Sequence, residues 1–85
     1  MPTTITTRVD DTIVNDIDEV ASEEALDRSV VIRRFLIHSL HEWKIRHSWG
    51  EYEKGTITLW KAAHNCGISL WEIMEEVHKI GKLAA

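Results

Sequence analysis

The chain has 85 residues, of which 44% are hydrophobic, and its formal net charge is −4 at pH 7. Its single cysteine excludes an intramolecular disulfide framework and is typical of a reducing compartment, and no stretch approaches the ~18 apolar residues of a membrane span. The negative charge argues at first against a nucleic-acid partner, but the carboxylates crowd into residues 10–27, so a basic face elsewhere is not excluded. We therefore expect a small, helix-rich cytoplasmic protein that does not enter a membrane.

A β-strand is predicted over residues 3–9, which are rich in β-branched side chains and alternate between two faces. Ile5 and Val9 share one face. The other face holds Thr4, Thr6 and Arg8. A lone strand leaves its backbone groups without partners, so we expect it to pair with the same strand of a second copy. The strand therefore predicts a homodimer.

Two helices are predicted next. Asp10 and Asp11 can cap the first, whose apolar stripe fades after Leu26. Asp27 can cap the second, which is expected from Arg28 to about His47. Residues 51–54 can form a short helical segment or prolong the second helix, and Gly55 ends either. The apolar positions expected in a shared dimer core are Ile5, Val9, Ile17, Ile32, Phe35 and Leu36.

The second half of the chain is predicted to hold two shorter helices. Thr58 can cap a helix over residues 59–65, and Ser69 can cap a last helix over residues 70–80, with Gly67 turning the chain between them. We assign residues 1–48 to a DNA-binding and dimerisation domain. Residues 49–85 form a helical C-terminal module for oligomerisation or partner binding.

The first half resembles the ribbon-helix-helix family of DNA-binding proteins, relatives of CopG, Arc and MetJ. The resemblance rests on residues 5–11 (Ile-Thr-Thr-Arg-Val-Asp-Asp), on the helical stripe behind them, and on residues 26–29 (Leu-Asp-Arg-Ser). It implies a mainly α fold with one short N-terminal strand, in which two chains form an intertwined dimer. Their strands pair into an antiparallel ribbon that enters the major groove.

The same resemblance implies which residues contact DNA. The implied base contacts are Thr4, Thr6 and Arg8. The implied phosphate contacts are Asp27, Arg28, Ser29, Val30 and Arg33, at the N-terminus of the second helix. Two alternatives remain open: Arg8 could pair with Asp10 or Asp11 on an ordinary surface, and Arg33 and Arg34 could pair with carboxylates.

Residues 55–63 and 66–72 resemble a family of small prokaryotic antitoxin-like proteins, which is linked to VapB-type antitoxins whose partner toxins are PIN-domain ribonucleases. The resemblance implies that this half binds a toxin. The segment also resembles a helix-turn-helix, but its exposed face would be apolar and acidic, whereas phosphates require cations. A second DNA-binding site is therefore not expected.

The last helix carries a wide apolar stripe that one short helix cannot hide alone. Its members are Leu70, Trp71, Ile73, Met74, Val77 and Ile80, of which the first five are the expected partner face. Two readings stay open: the stripe packs within the dimer or a higher oligomer, or it docks onto a separate protein such as a toxin.

The histidines give little support for a metal site. His38 and His41 lie one turn apart, with Glu42 and His47 nearby, but a metal needs three or four ligands held together. The other candidates, which show no zinc-like spacing, are His64, Cys66 and His78. We expect no metal, no cofactor and no enzymatic activity.

The sequence as a whole predicts a dimeric, sequence-specific transcriptional regulator that represses its own operon. Its DNA would be a palindromic operator, with tetramers on adjacent half-sites as an open possibility. One alternative is an antitoxin whose C-terminal helices neutralise a PIN-type ribonuclease toxin. A third option is a metal-responsive regulator, whose affinity for DNA would change with nickel or zinc.

Overall fold

The computed structural model describes the backbone of residues 1–84 and the side chains of residues 1–81. Its four helices are α1 (Asp11–Glu24), α2 (Arg28–Glu53), α3 (Leu59–Cys66) and α4 (Leu70–Ala84). None of the helices in this range is both long and apolar enough to cross a membrane. The chain divides into two compact units, Met1–Leu36 (unit 1) and Ile37–Ala85 (unit 2), and the division falls inside α2.

The predicted N-terminal strand is wrong. Residues 1–10 adopt no regular secondary structure and are all exposed, and Ile5 keeps 85% of its surface in water. Strands are held by hydrogen bonds to neighbouring strands, and the described part of the chain offers this segment no second strand. The expected fold class, a strand-containing ribbon dimer, is therefore corrected to an all-helical one for the residues described.

Both ends of helix α1 are capped by backbone hydrogen bonds. The Asp10 carbonyl accepts from the N–H groups of Ile13 and Val14 at 3.0 and 3.2 Å, while the Asp10 side chain makes no capping bond. At the other end Ala25 adopts the left-handed conformation, with φ 53°, and the N–H of Leu26 donates to the carbonyl of Ala21 at 2.9 Å. This is the C-terminal turn that glycine usually makes, and here alanine makes it under strain.

Unit 1 has very little core of its own. Val31 is its one fully buried hydrophobic side chain, and no residue of α1 is fully buried. The large apolar side chains left exposed in unit 1 are Met1, Ile5, Val9, Ile13, Ile32, Phe35 and Leu36. Two helices and an irregular segment therefore leave much of the apolar surface of this unit in water.

Helices α3 and α4 begin at the predicted residues, but α3 ends one residue later than predicted, at Cys66, and α4 continues to Ala84 instead of ending at residue 80. The Thr58 hydroxyl accepts from the N–H of Lys61 at 3.1 Å, and the Ser69 hydroxyl accepts from the N–H of Glu72 at 3.1 Å. Gly67, with φ 69°, ends α3 in the left-handed conformation. Both predicted caps are thereby confirmed.

Unit 2 contains a true core between α2, α3 and α4. Its fully buried members are Ile45, Ala62, Ala63 and Ile73. Partly buried side chains that pack against them are Trp49, Ile57, Leu59, Cys66, Ile68, Val77 and Ile80. The buried Ser48 hydroxyl lies 3.6 Å from the Cys66 thiol, which donates to it, so this polar group is satisfied inside the core.

Candidate nucleic-acid interface

The residues predicted to contact DNA bases lie in the N-terminal segment, which has no regular secondary structure and is exposed. Thr4, Thr6 and Arg8 are all exposed. Among the described residues Arg8 forms no ion pair. The alternative in which Arg8 pairs with Asp10 or Asp11 is therefore not observed. The guanidinium and the two hydroxyls are therefore available to an outside partner.

The N-terminus of α2 presents backbone donors to solvent. The Asp27 carbonyl accepts from the N–H groups of Val30 and Val31, both at 3.1 Å, while no described group accepts from the N–H of Arg28 or Ser29. Free N–H groups and the positive end of the helix dipole favour an anion there. Asp27 contributes a carbonyl to the turn and has no donor to offer a phosphate. Of the predicted phosphate contacts, Val30 is half-buried and the others are exposed.

Two arginines of α2 are tied to carboxylates of α1. Arg28 donates from Nε and Nη2 to the two oxygens of Asp18, each at 2.9 Å, and Arg34 donates to Glu24 at 2.7 Å. The hydrogen bonds that Arg28 donates lower the pKa of Asp18, and by donating them to this carboxylate Arg28 has its own pKa raised. Arg28, which was predicted to contact a phosphate, is therefore already paired with the carboxylate of Asp18.

A carboxylate partner was expected as one possibility for Arg34 but not for Arg28, although one spacing in the sequence marks both pairs. Each arginine follows its carboxylate by ten residues, once for Asp18 and Arg28 and again for Glu24 and Arg34. A repeated spacing across a helix–turn–helix connection is what two antiparallel helices with facing surfaces produce. Arg33 differs from both, because its Nε reaches only the carbonyl of Ser29, at 3.4 Å on the same helix.

The predicted dimer-core positions are mostly uncovered. Ile17 is half-buried. The others, Ile5, Val9, Ile32, Phe35 and Leu36, are exposed. Exposed apolar side chains in this number on one small unit are typical of a surface that another protein surface covers.

The predicted partner face of α4 divides into two parts. Ile73 is fully buried and Val77 half-buried in the core of unit 2. Leu70, Trp71 and Met74 stay exposed, with Trp71 at 75% of its full exposure. Only these three can meet a partner without rearrangement of the core.

Two tryptophans stack on histidines one turn ahead of them. Trp43 lies 4.7 Å from His47 with the rings 8° from parallel, and Trp60 lies 5.2 Å from His64 with the rings 9° from parallel. His38 is 4.0 Å from Glu42, which Arg46 also engages at 3.1 Å. Within the described residues no group of three or more histidine, cysteine or acidic side chains is placed to hold a metal ion.

Unit 2 also has an open cleft of about 340 Å³ at the ends of α2 and α4. Its lining residues are Arg46, Trp49, Glu53, Val77, Ile80 and Gly81. A shallow site of this kind would leave a small ligand largely in water. It has no arrangement of nucleophile, base and orienting group.

Comparisons of the chain with protein-family models, with curated proteins and with solved structures give no match. Both family resemblances of the sequence therefore stay predictions.

Proposed function

We propose that this protein is a cytoplasmic, homodimeric regulator of transcription that binds a specific DNA sequence through residues 3–9. The observation that carries the proposal is the exposed and unpaired state of Arg8 in the irregular segment before α1. Two other arginines of unit 1, Arg28 and Arg34, are paired with carboxylates, whereas Arg8, like Arg33, has no carboxylate partner among the described residues.

The dimer is supported by the small core of unit 1. Half-covering each of its exposed aliphatic and aromatic side chains would contribute roughly 1 kcal/mol. A second copy offers the same apolar set, so a two-fold contact would cover both. Dimers with this symmetry bind palindromic DNA, since each copy reads one half-site.

The side chains of residues 3–9 have the chemistry for base reading. Arg8 can donate two hydrogen bonds to the O6 and N7 atoms of a guanine, and the hydroxyls of Thr4 and Thr6 can bond a base or their methyl groups contact a thymine methyl. Phosphates would be bound by the free N–H groups of Arg28 and Ser29. Since few cations take part, we expect a shallow salt dependence, with a slope no steeper than about −4 in a plot of log K against log salt.

The proposal is tested by selecting genomic DNA fragments with the purified protein. Three proteins are compared: the wild type, a Thr6→Ala/Arg8→Ala variant, and Arg46→Ala, which removes one positive charge from unit 2 instead. The wild type and Arg46→Ala should enrich the same palindrome, whereas the double variant should lose it, at a cost of about 1–3 kcal/mol for each specific contact. Equal enrichment by all three proteins would refute the assignment of residues 3–9.

A second candidate function, an antitoxin, is favoured by the exposed Leu70, Trp71 and Met74 of α4. Tryptophan in such a patch often anchors a protein interface. If the neighbouring gene encodes a small nuclease, co-expression should relieve its toxicity, and Trp71→Ser should abolish that relief while Trp60→Ser retains it. Unchanged toxicity with the wild-type chain would exclude this function.

A further inference from the structure

We draw no further inference here: the strongest candidate, the exposed apolar surface patch that Leu40 and Trp43 form on α2, carries no proposal because nothing in the described part of the chain shows what covers it.

Discussion

Arg28 and Asp18 are joined by two parallel hydrogen bonds of 2.9 Å, from Nε and Nη2 of the guanidinium to the two carboxylate oxygens. The pair connects the first turn of α2 to the middle of α1. Because Arg28 is also a residue expected to contact phosphate, the ion pair and the DNA would compete for one guanidinium. Two predictions follow from this geometry, one about titration and one about affinity.

The first prediction concerns the pKa of Asp18, which the hydrogen bond from Arg28 lowers. Arg28→Gln should return it towards the ordinary value for an aspartate, about 3.9. The contribution of the pair to stability should therefore be present above that ordinary value and be lost as pH falls through the lowered pKa of the folded state. Carboxyl NMR titration measures the change, and Arg33→Gln, which leaves the pair intact, is the control. An Asp18 midpoint that Arg28→Gln does not move would contradict the assignment.

The second prediction concerns binding to DNA of arbitrary sequence. Asp18→Asn weakens the hold on Arg28 and frees its guanidinium for a phosphate, so it should strengthen non-specific binding. Asp16→Asn removes the same charge from the same helix without releasing an arginine. Fluorescence anisotropy with a labelled duplex should show a larger gain for Asp18→Asn. Equal gains for the two variants would mean that only net charge matters and that Arg28 does not reach the DNA.

The left-handed Ala25 gives a prediction about stability. Ala25→Gly should stabilise the protein by about 1 kcal/mol, because glycine adopts a positive φ without the steric cost that alanine bears. Ala21→Gly, inside α1, should instead destabilise it by about 1 kcal/mol. Chemical denaturation followed by circular dichroism measures both. Destabilisation by Ala25→Gly would show that the turn is not formed as described.

Neighbouring residues of α4 should respond very differently to truncation. Ile73 is fully buried in the core of unit 2, so Ile73→Ala should cost about 2–5 kcal/mol of the free energy of unfolding. Met74 is exposed, and Met74→Ala should change it by less than about 0.5 kcal/mol. The measurement is urea denaturation at a protein concentration held constant for all variants. Similar losses of unfolding free energy for the two variants would contradict the described orientation of α4, in which Ile73 faces the core and Met74 faces solvent.

The starts of α3 and α4 and the turn between them were accessible from the sequence because their signals are local, whereas the end of α4 was predicted four residues too early. Thr58 and Ser69 accept backbone hydrogen bonds from residues three positions ahead, and Gly67 supplies a positive φ, so each acts within one turn. The end of α2 is different. The helix continues to Glu53, so of the two readings left open by the sequence the prolonged helix is the one observed. Ser48 and Trp49 pack into a core that forms only with α3 and α4, and no signal within one turn of them shows this.

The N-terminal segment shows the limit of reasoning from composition. Threonine, isoleucine and valine favour a strand because they suit a pleated sheet, but the preference operates only where a sheet exists. Within the described chain nothing pairs with residues 3–9. The apolar stripe of α4 shows a related limit: periodicity identified its members, but only the packing of Ile73 and Val77 on α2 and α3 separates the buried ones from Leu70, Trp71 and Met74.

The central claim, sequence-specific DNA binding through residues 3–9, is tested most directly by a ratio of affinities. The selected palindrome and a scrambled duplex of the same composition are titrated by fluorescence anisotropy at one salt concentration, with wild type and Arg8→Ala. We expect the wild type to prefer the palindrome by about 10³-fold or more, and Arg8→Ala to lose most of that preference while binding the scrambled duplex nearly as well. A wild-type ratio close to one, or a ratio that Arg8→Ala leaves intact, would contradict the claim.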